Sequence, residues 1–197
     1  MTDSRDARAQ APANATRAPA GGSYDATAKA LHWLVVLMVL TQFVVAWRMP
    51  GIGRNTLPGT LVNLHFSLGV VILATMAIRC AHRLLHPVAL VMPGSPAWEV
   101  RVAHATHVAL YLLLLVGPVL GWASASAHDL PVGVFGILTL PAIAAAKARW
   151  ALAAGDVHTY SMWTVLGLIV LHVAATLYHR FVRHDGVLQR MLPSRRT

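Results

Sequence analysis

The most constraining stretch of the chain is His158 to Phe181, HTYSMWTVLGLIVLHVAATLYHRF, an apolar run long enough to cross a bilayer with a histidine near each end. At about 1.5 Å and 100° per residue, the step from His158 to His172 rises roughly 21 Å and returns to within about 40° of the same face. The two imidazoles therefore look the same way at two depths. An ionisable side chain inside a span is costly, turns toward the bundle interior and marks function by default. One helix with two inward histidines predicts two stacked sites, each completed by another helix.

Of 197 residues, 56% are hydrophobic and only 12% charged, which excludes an ordinary soluble globule. The net charge of +9 alone would fit a nucleic-acid partner. The basic residues, however, lie at the ends and in the connections of the apolar runs, where they orient helices and meet anionic lipid. The expected partner is the lipid bilayer, with no nucleic acid. The lone Cys80 excludes an internal disulfide and a CxxCH haem attachment.

In chain order, residues 1–22 mix Ala, Pro, Gly and charges without periodicity and read as a flexible cytoplasmic tail, with no apolar core of a signal peptide. Residues 23–192 form one domain with spans at about 30–48, 61–81, 100–123 and 158–181. Residues 193–197 are a basic C-terminal tail. Pro118 predicts a kink in the third span. The connection 123–157 has an apolar middle, LPVGVFGILTLPAIAA, whose prolines and glycines argue against a fifth span and predict a short interfacial helix. Twelve Lys and Arg fall on the side of the termini and the second connection, against Arg48, Arg54, Lys147 and Arg149 on the other. The fold class is thus an all-α integral membrane protein, a four-helix transmembrane bundle with both termini cytoplasmic.

This topology sorts the histidines by depth. His32 and His172 fall at the inner level and His65 and His158 at the outer, so each pair joins two different helices. Facing imidazoles without a thiolate or carboxylate nearby suit axial ligation of a b-type haem. Zinc would want more ligands, and the acidic residues fall outside the spans or at their edges.

His104 and His107, spaced i,i+3 at the start of the third helix, share a face and sit at the level of His32 and His172. They are read either as rival ligands or, preferably, as contacts to haem propionates or interfacial residues. Arg79 and Arg83 match propionate carboxylates in shape, although topology and lipid contact also account for them. Gly69 and Gly167 allow close approach of a flat macrocycle or another helix. The remaining histidines, His82, His86, His128, His179 and His184, fall at edges or in connections and are read as structural.

The series ALHW (30–33), NLHFSLG (63–69), AHATHVALY (103–111) and GPVLGW (117–122), with the two histidines of the fourth helix, resembles the bacterial cytochrome b561 family over about residues 24–192. The resemblance implies two non-covalent haem b groups, ligated through the pairs His32/His172 and His65/His158, in a multi-pass protein of the bacterial inner membrane. It implies electron transfer with a quinone as acceptor or donor, superoxide oxidation being one permitted activity. The electron donor is unknown, a homodimer stays open, and no catalytic residue is assigned. Family members often show Trp-His-Glu where Val157, His158 and Thr159 stand, so no role for that carboxylate carries over. Two alternatives remain: a cytochrome b anchor subunit of a membrane dehydrogenase or hydrogenase, and a haem-free four-helix transporter or metal-binding protein.

Overall fold

A computed structural model describes residues 24–53, 56–88 and 94–192. The expected tails 1–22 and 193–197 lie outside the described residues. Among the described residues four helices are long and apolar enough to cross a membrane: α1 Ala26–Arg48, α2 Thr60–Leu85, α3 Ala97–Ala127 and α4, whose α-helical part is Arg149–Tyr178. Local signals mark some of their ends. Asp25 caps α1 by accepting from Ala28 N at 2.7 Å, satisfying one of the free amides of the first turn. α3 runs through Pro118 without interruption, although proline offers no N–H to the preceding turn. α4 passes into a π-helical turn, His179–Arg183, which ends at His184 with a left-handed φ of 52°.

Consecutive helices are neighbours, and α3 and α4 form the most extensive pair. Their contact is made of small residues: Ala123, Ala127, Ala151 and Ala154 cluster there. A Cβ on Gly155 would stand 2.5 Å from Ser124 Oγ and 3.2 Å from Ser124 Cβ, so a larger residue there would force Ser124 aside. Without a hydrophobic drive between helices in lipid, such close backbone packing is what holds spans together. The central core, Val35, Met38, Val39, Ile72, Met76, Leu114 and Val165, joins all four helices. Large apolar side chains elsewhere, such as Leu37, Leu112 and Val170, face outward as a lipid-contacting surface would.

The connection between α3 and α4 corrects the expected interfacial helix. It spans only 128–148 and contains an antiparallel hairpin, β1 Val132–Val134 with β2 Leu138–Leu140, in the register Val132↔Leu140. The physical reason is the alternation VGV and LTL, a strand period, around a turn in which Phe135 and Gly136 take φ of 48° and 72°. The hairpin folds back on α2: Ser67 Oγ lies 3.1 Å from Gly133 O and accepts from Phe135 N at 2.8 Å. Val62, Phe66, Ala125, Leu130 and Val132 close a second core beneath it. α4 also starts nine residues before the expected span, because the alanine-rich segment around Arg149 favours helix despite its charges. His158 consequently sits more than two turns inside α4 rather than at its first residue.

Candidate functional site

Two histidine pairs form at opposite ends of the central core. His32 on α1 and His172 on α4 have ring centroids 6.4 Å apart, with planes at 67°. His65 on α2 and His158 on α4 are 6.2 Å apart, at 88°. The fourteen-residue step along α4 brings both of its histidines to the same side, and the antiparallel runs of α1 and α2 supply one partner at each level.

The separation itself is informative. Two imidazoles sharing one metal need about 2 Å for each metal–nitrogen bond and about 1 Å from nitrogen to ring centre, which sums to about 6 Å. Both pairs have this spacing. Among the described residues no group of three or more His, Cys, Asp or Glu is placed to hold a metal ion, so the donor set is two imidazoles at each level. That set fits a metal whose remaining ligands come from a macrocycle. At the second level a cavity of about 590 Å³ opens between His65 and His158, bordered by Val39, Ile72, Leu114 and Val165 of the central core. Its size is that of a cofactor site, typically about 300–1,000 Å³.

The two levels hold their imidazoles differently. His158 Nδ1 is 2.8 Å from Gly117 O, so that with Nδ1 protonated the ring donates to α3 and leaves Nε2 for the facing side. Gly121 admits the ring: a Cβ there would lie 3.2 Å from His158 Cε1 and 3.3 Å from Nδ1. Across the cavity, His65 Nδ1 is buried without a hydrogen-bond partner. Gly69, one turn beyond His65, faces Gln42 Nε2, which a Cβ would meet at 3.6 Å, whereas a Cβ on Gly167 would meet no heavy atom within 4 Å.

Around His32 and His172 the environment is cationic. Arg79 Nε donates to Tyr111 Oη at 3.0 Å, and Arg79 Nη1 is buried without a partner. Arg83 Nη2 donates to Val88 O at 2.5 Å, and Arg83 Nη1 is likewise buried and unpartnered. Two orphaned guanidinium donors at one level suit an anionic group.

His104 and His107 do not share an environment, contrary to the expectation from their spacing. The 60° between positions i and i+3 is enough, on a helix edge, to send them apart. His104 is exposed, while His107 is half-buried and donates Nδ1–H to Ala103 O at 2.6 Å. The His107 ring stands edge-on to His172 with centroids 5.2 Å apart, about 1 Å less than the spacing of a shared metal and right for direct ring contact.

The remaining histidines have local partners: His82 with Asp25, His86 with His82 O, His128 with Ser124 O, His179 with Asp185 and His184 with Val182 O. Two tryptophans tie segments outside the spans to the bundle, since Trp33 Nε1 donates to Met191 O and Trp122 Nε1 to Pro141 O. Sequence reasoning passed over Gln42, Gly117 and Gly121. For Gln42 the signal was a single carboxamide inside an apolar run; the Gly117 carbonyl has no sequence signal at all.

Comparison with known proteins gives a consistent result. The profile described as prokaryotic cytochrome b561 matches residues 23–194. Cytochrome b561 homolog 2 of Escherichia coli (strain K12) is 31% identical over 170 residues, covering 86% of this chain and 90% of that protein. The probable superoxide oxidase CybB of Yersinia pestis is 29% identical over 169 residues, covering 84% and 93%. Cytochrome b561 homolog 1 of Escherichia coli (strain K12) is 26% identical over 174 residues, covering 84% and 94%.

Proposed function

The chain belongs to the prokaryotic cytochrome b561 family, and from that premise we propose that it is a di-haem electron carrier exchanging electrons with a membrane quinone. The observation that carries the reading is the pair of His–His spacings, 6.4 and 6.2 Å, at two levels of one bundle. His32 and His172 hold one haem b, and His65 and His158 hold the other. Bound haem b supplies one-electron Fe(III)/Fe(II) chemistry.

The protein's own residues decide how that chemistry is used. Two facing imidazoles per site would both be taken up by the bound iron, which favours electron transfer over binding of a small ligand. Arg79 and Arg83 direct their unpartnered Nη1 groups to haem propionates at the His32/His172 level. His107 packs against His172 and fixes its ring orientation, and His104 stays on the surface. The apolar core between the levels excludes water and keeps the electron inside the bundle. Both termini face the cytoplasm, because the basic residues concentrate there, and the bilayer is the bacterial inner membrane. The similarity to a probable superoxide oxidase supports superoxide as an electron donor, with a soluble donor or a homodimeric arrangement as further partners to test.

The test is a reduced-minus-oxidised spectrum with a pyridine haemochrome assay on detergent-purified protein. Two low-spin haem b per chain are expected, falling to one in His158→Ala and to one, with a different residual spectrum, in His32→Ala. A purified protein that stays colourless with ample haem supply would refute the electron-transfer reading.

A further inference from the structure

Gln42 is the carboxamide of α1 and lies level with His65, on the border of the cavity between His65 and His158. Its Nε2 donates to the His65 carbonyl at 3.0 Å. Its Oε1 is buried and has no partner, and His65 Nδ1 is also buried and has no partner. An acceptor and a donor are thus orphaned on either side of a hydrogen bond that already joins the two residues. Each is costly to leave unpaired in an apolar surround.

Several other histidines show what His65 lacks. His107 on α3 and the C-cap residues His86 and His128 satisfy Nδ1 on the carbonyl four residues earlier. His158 satisfies Nδ1 on Gly117 O of the neighbouring helix. His65 does neither, and a carboxamide presents its acceptor next to the donor already engaged on the His65 main chain.

We propose that Gln42 is the positioning residue of His65: with Nε2 already on the His65 carbonyl, its Oε1, unpartnered like His65 Nδ1, is the acceptor that takes the Nδ1–H once the imidazole is held through Nε2. The carboxamide then does for His65 what the Gly117 carbonyl does for His158, fixing the tautomer with Nε2 free and making the imidazole more basic. The inference rests on the reading of His65 as a haem ligand. A more basic ligand favours the ferric state and lowers the midpoint potential.

The experiment is a spectroscopic redox titration of haem-loaded, detergent-purified wild type, Gln42→Met and Gln42→Glu, with His65→Ala assayed for haem content alongside. Gln42→Met fills the same space without donor or acceptor. It is expected to raise the potential of one haem by about 59 mV, a tenfold shift in its one-electron equilibrium, and to leave the other unmoved. Gln42→Glu, whose neutral carboxylic acid keeps one donor and one acceptor, is expected to hold the wild-type potential. If Gln42→Met does not assemble, Gln42→Ala is titrated for the same shift. Full haem content with unchanged potentials, or an equal shift of both haems, overturns the proposal while the ligand reading stands. Retention of both haems by His65→Ala removes the ligand reading, and the role of Gln42 falls with it.

Discussion

The two histidine levels set the same side-chain pair in opposite surroundings. At the hairpin end His158 is fixed by sterics and main chain: the Gly117 carbonyl takes its Nδ1, Gly121 leaves room for its ring, and the hairpin packs over the adjacent core. At the other end His32 and His172 sit among charges and imidazoles, with Arg79, Arg83 and His107 close by. One site is thus shaped by small residues, the other by electric field. On the proposed reading, small residues decide whether a haem is held at the first level, whereas at the second fixed charge weighs on the potential at which it works.

The largest test of that contrast is Gly121→Leu. Even an added Cβ would come within 3.2 Å of the His158 ring, and a branched side chain must displace it. Ring displacement is expected to cost 10- to 100-fold or more in haem affinity at this level, by analogy with lost outer partners of metal-bound histidines, roughly 10–100-fold. Haem content should fall toward one per chain in Gly121→Leu, with the component lost in His32→Ala still present. An unchanged content of two would show that the hairpin-end site does not depend on steric fit.

The field-dominated level is probed by Arg79→Met. A unit charge about 10 Å away in a medium of effective dielectric about 20 contributes about 1.7 kcal/mol. Losing that cation stabilises ferric over ferrous haem, so the potential of the haem at the His32/His172 level should drop by about 70 mV, somewhat more than a tenfold change. The haem at the other level, shielded by the central core, should move much less. Equal movement of both potentials would remove the distinction between the two ends.

How much of this was legible in the sequence follows from the kind of signal each feature leaves. The four spans and the two levels could be read because hydropathy runs and a fourteen-residue helical step are local, periodic patterns. His65 and His158 could be paired because antiparallel connectivity alone fixes their depth. The hairpin escaped because VGV and LTL are three residues each, too short to separate from a buried helical turn by periodicity. The start of α4 escaped because Arg149 and Asp156 interrupt the hydropathy but not the helix. His104 and His107 could not be told apart, since a small rotation about the α3 axis decides which of them faces inward. The Gly117 carbonyl belongs to the backbone and becomes a partner only when α3 and α4 are packed.

The smallest effect expected is at Ser67, where the hairpin meets α2. The Ser67 hydroxyl is buried, accepts from Phe135 N at 2.8 Å and lies within hydrogen-bond distance of Gly133 O. Ser67→Ala removes these contacts and leaves the Phe135 amide without its partner, at a cost of about 1–3 kcal/mol. The two strands are too short to persist alone, so the loss should appear as local opening rather than global unfolding. Faster hydrogen exchange at the Phe135 amide is expected, on the order of 10-fold for about 1.4 kcal/mol, with haem content and both potentials unchanged. Loss of the hairpin-end haem in Ser67→Ala would mean that this level is held by its cover as well as by Gly117 and Gly121, and the division between a shaped site and a charged one would have to be redrawn to include the hairpin.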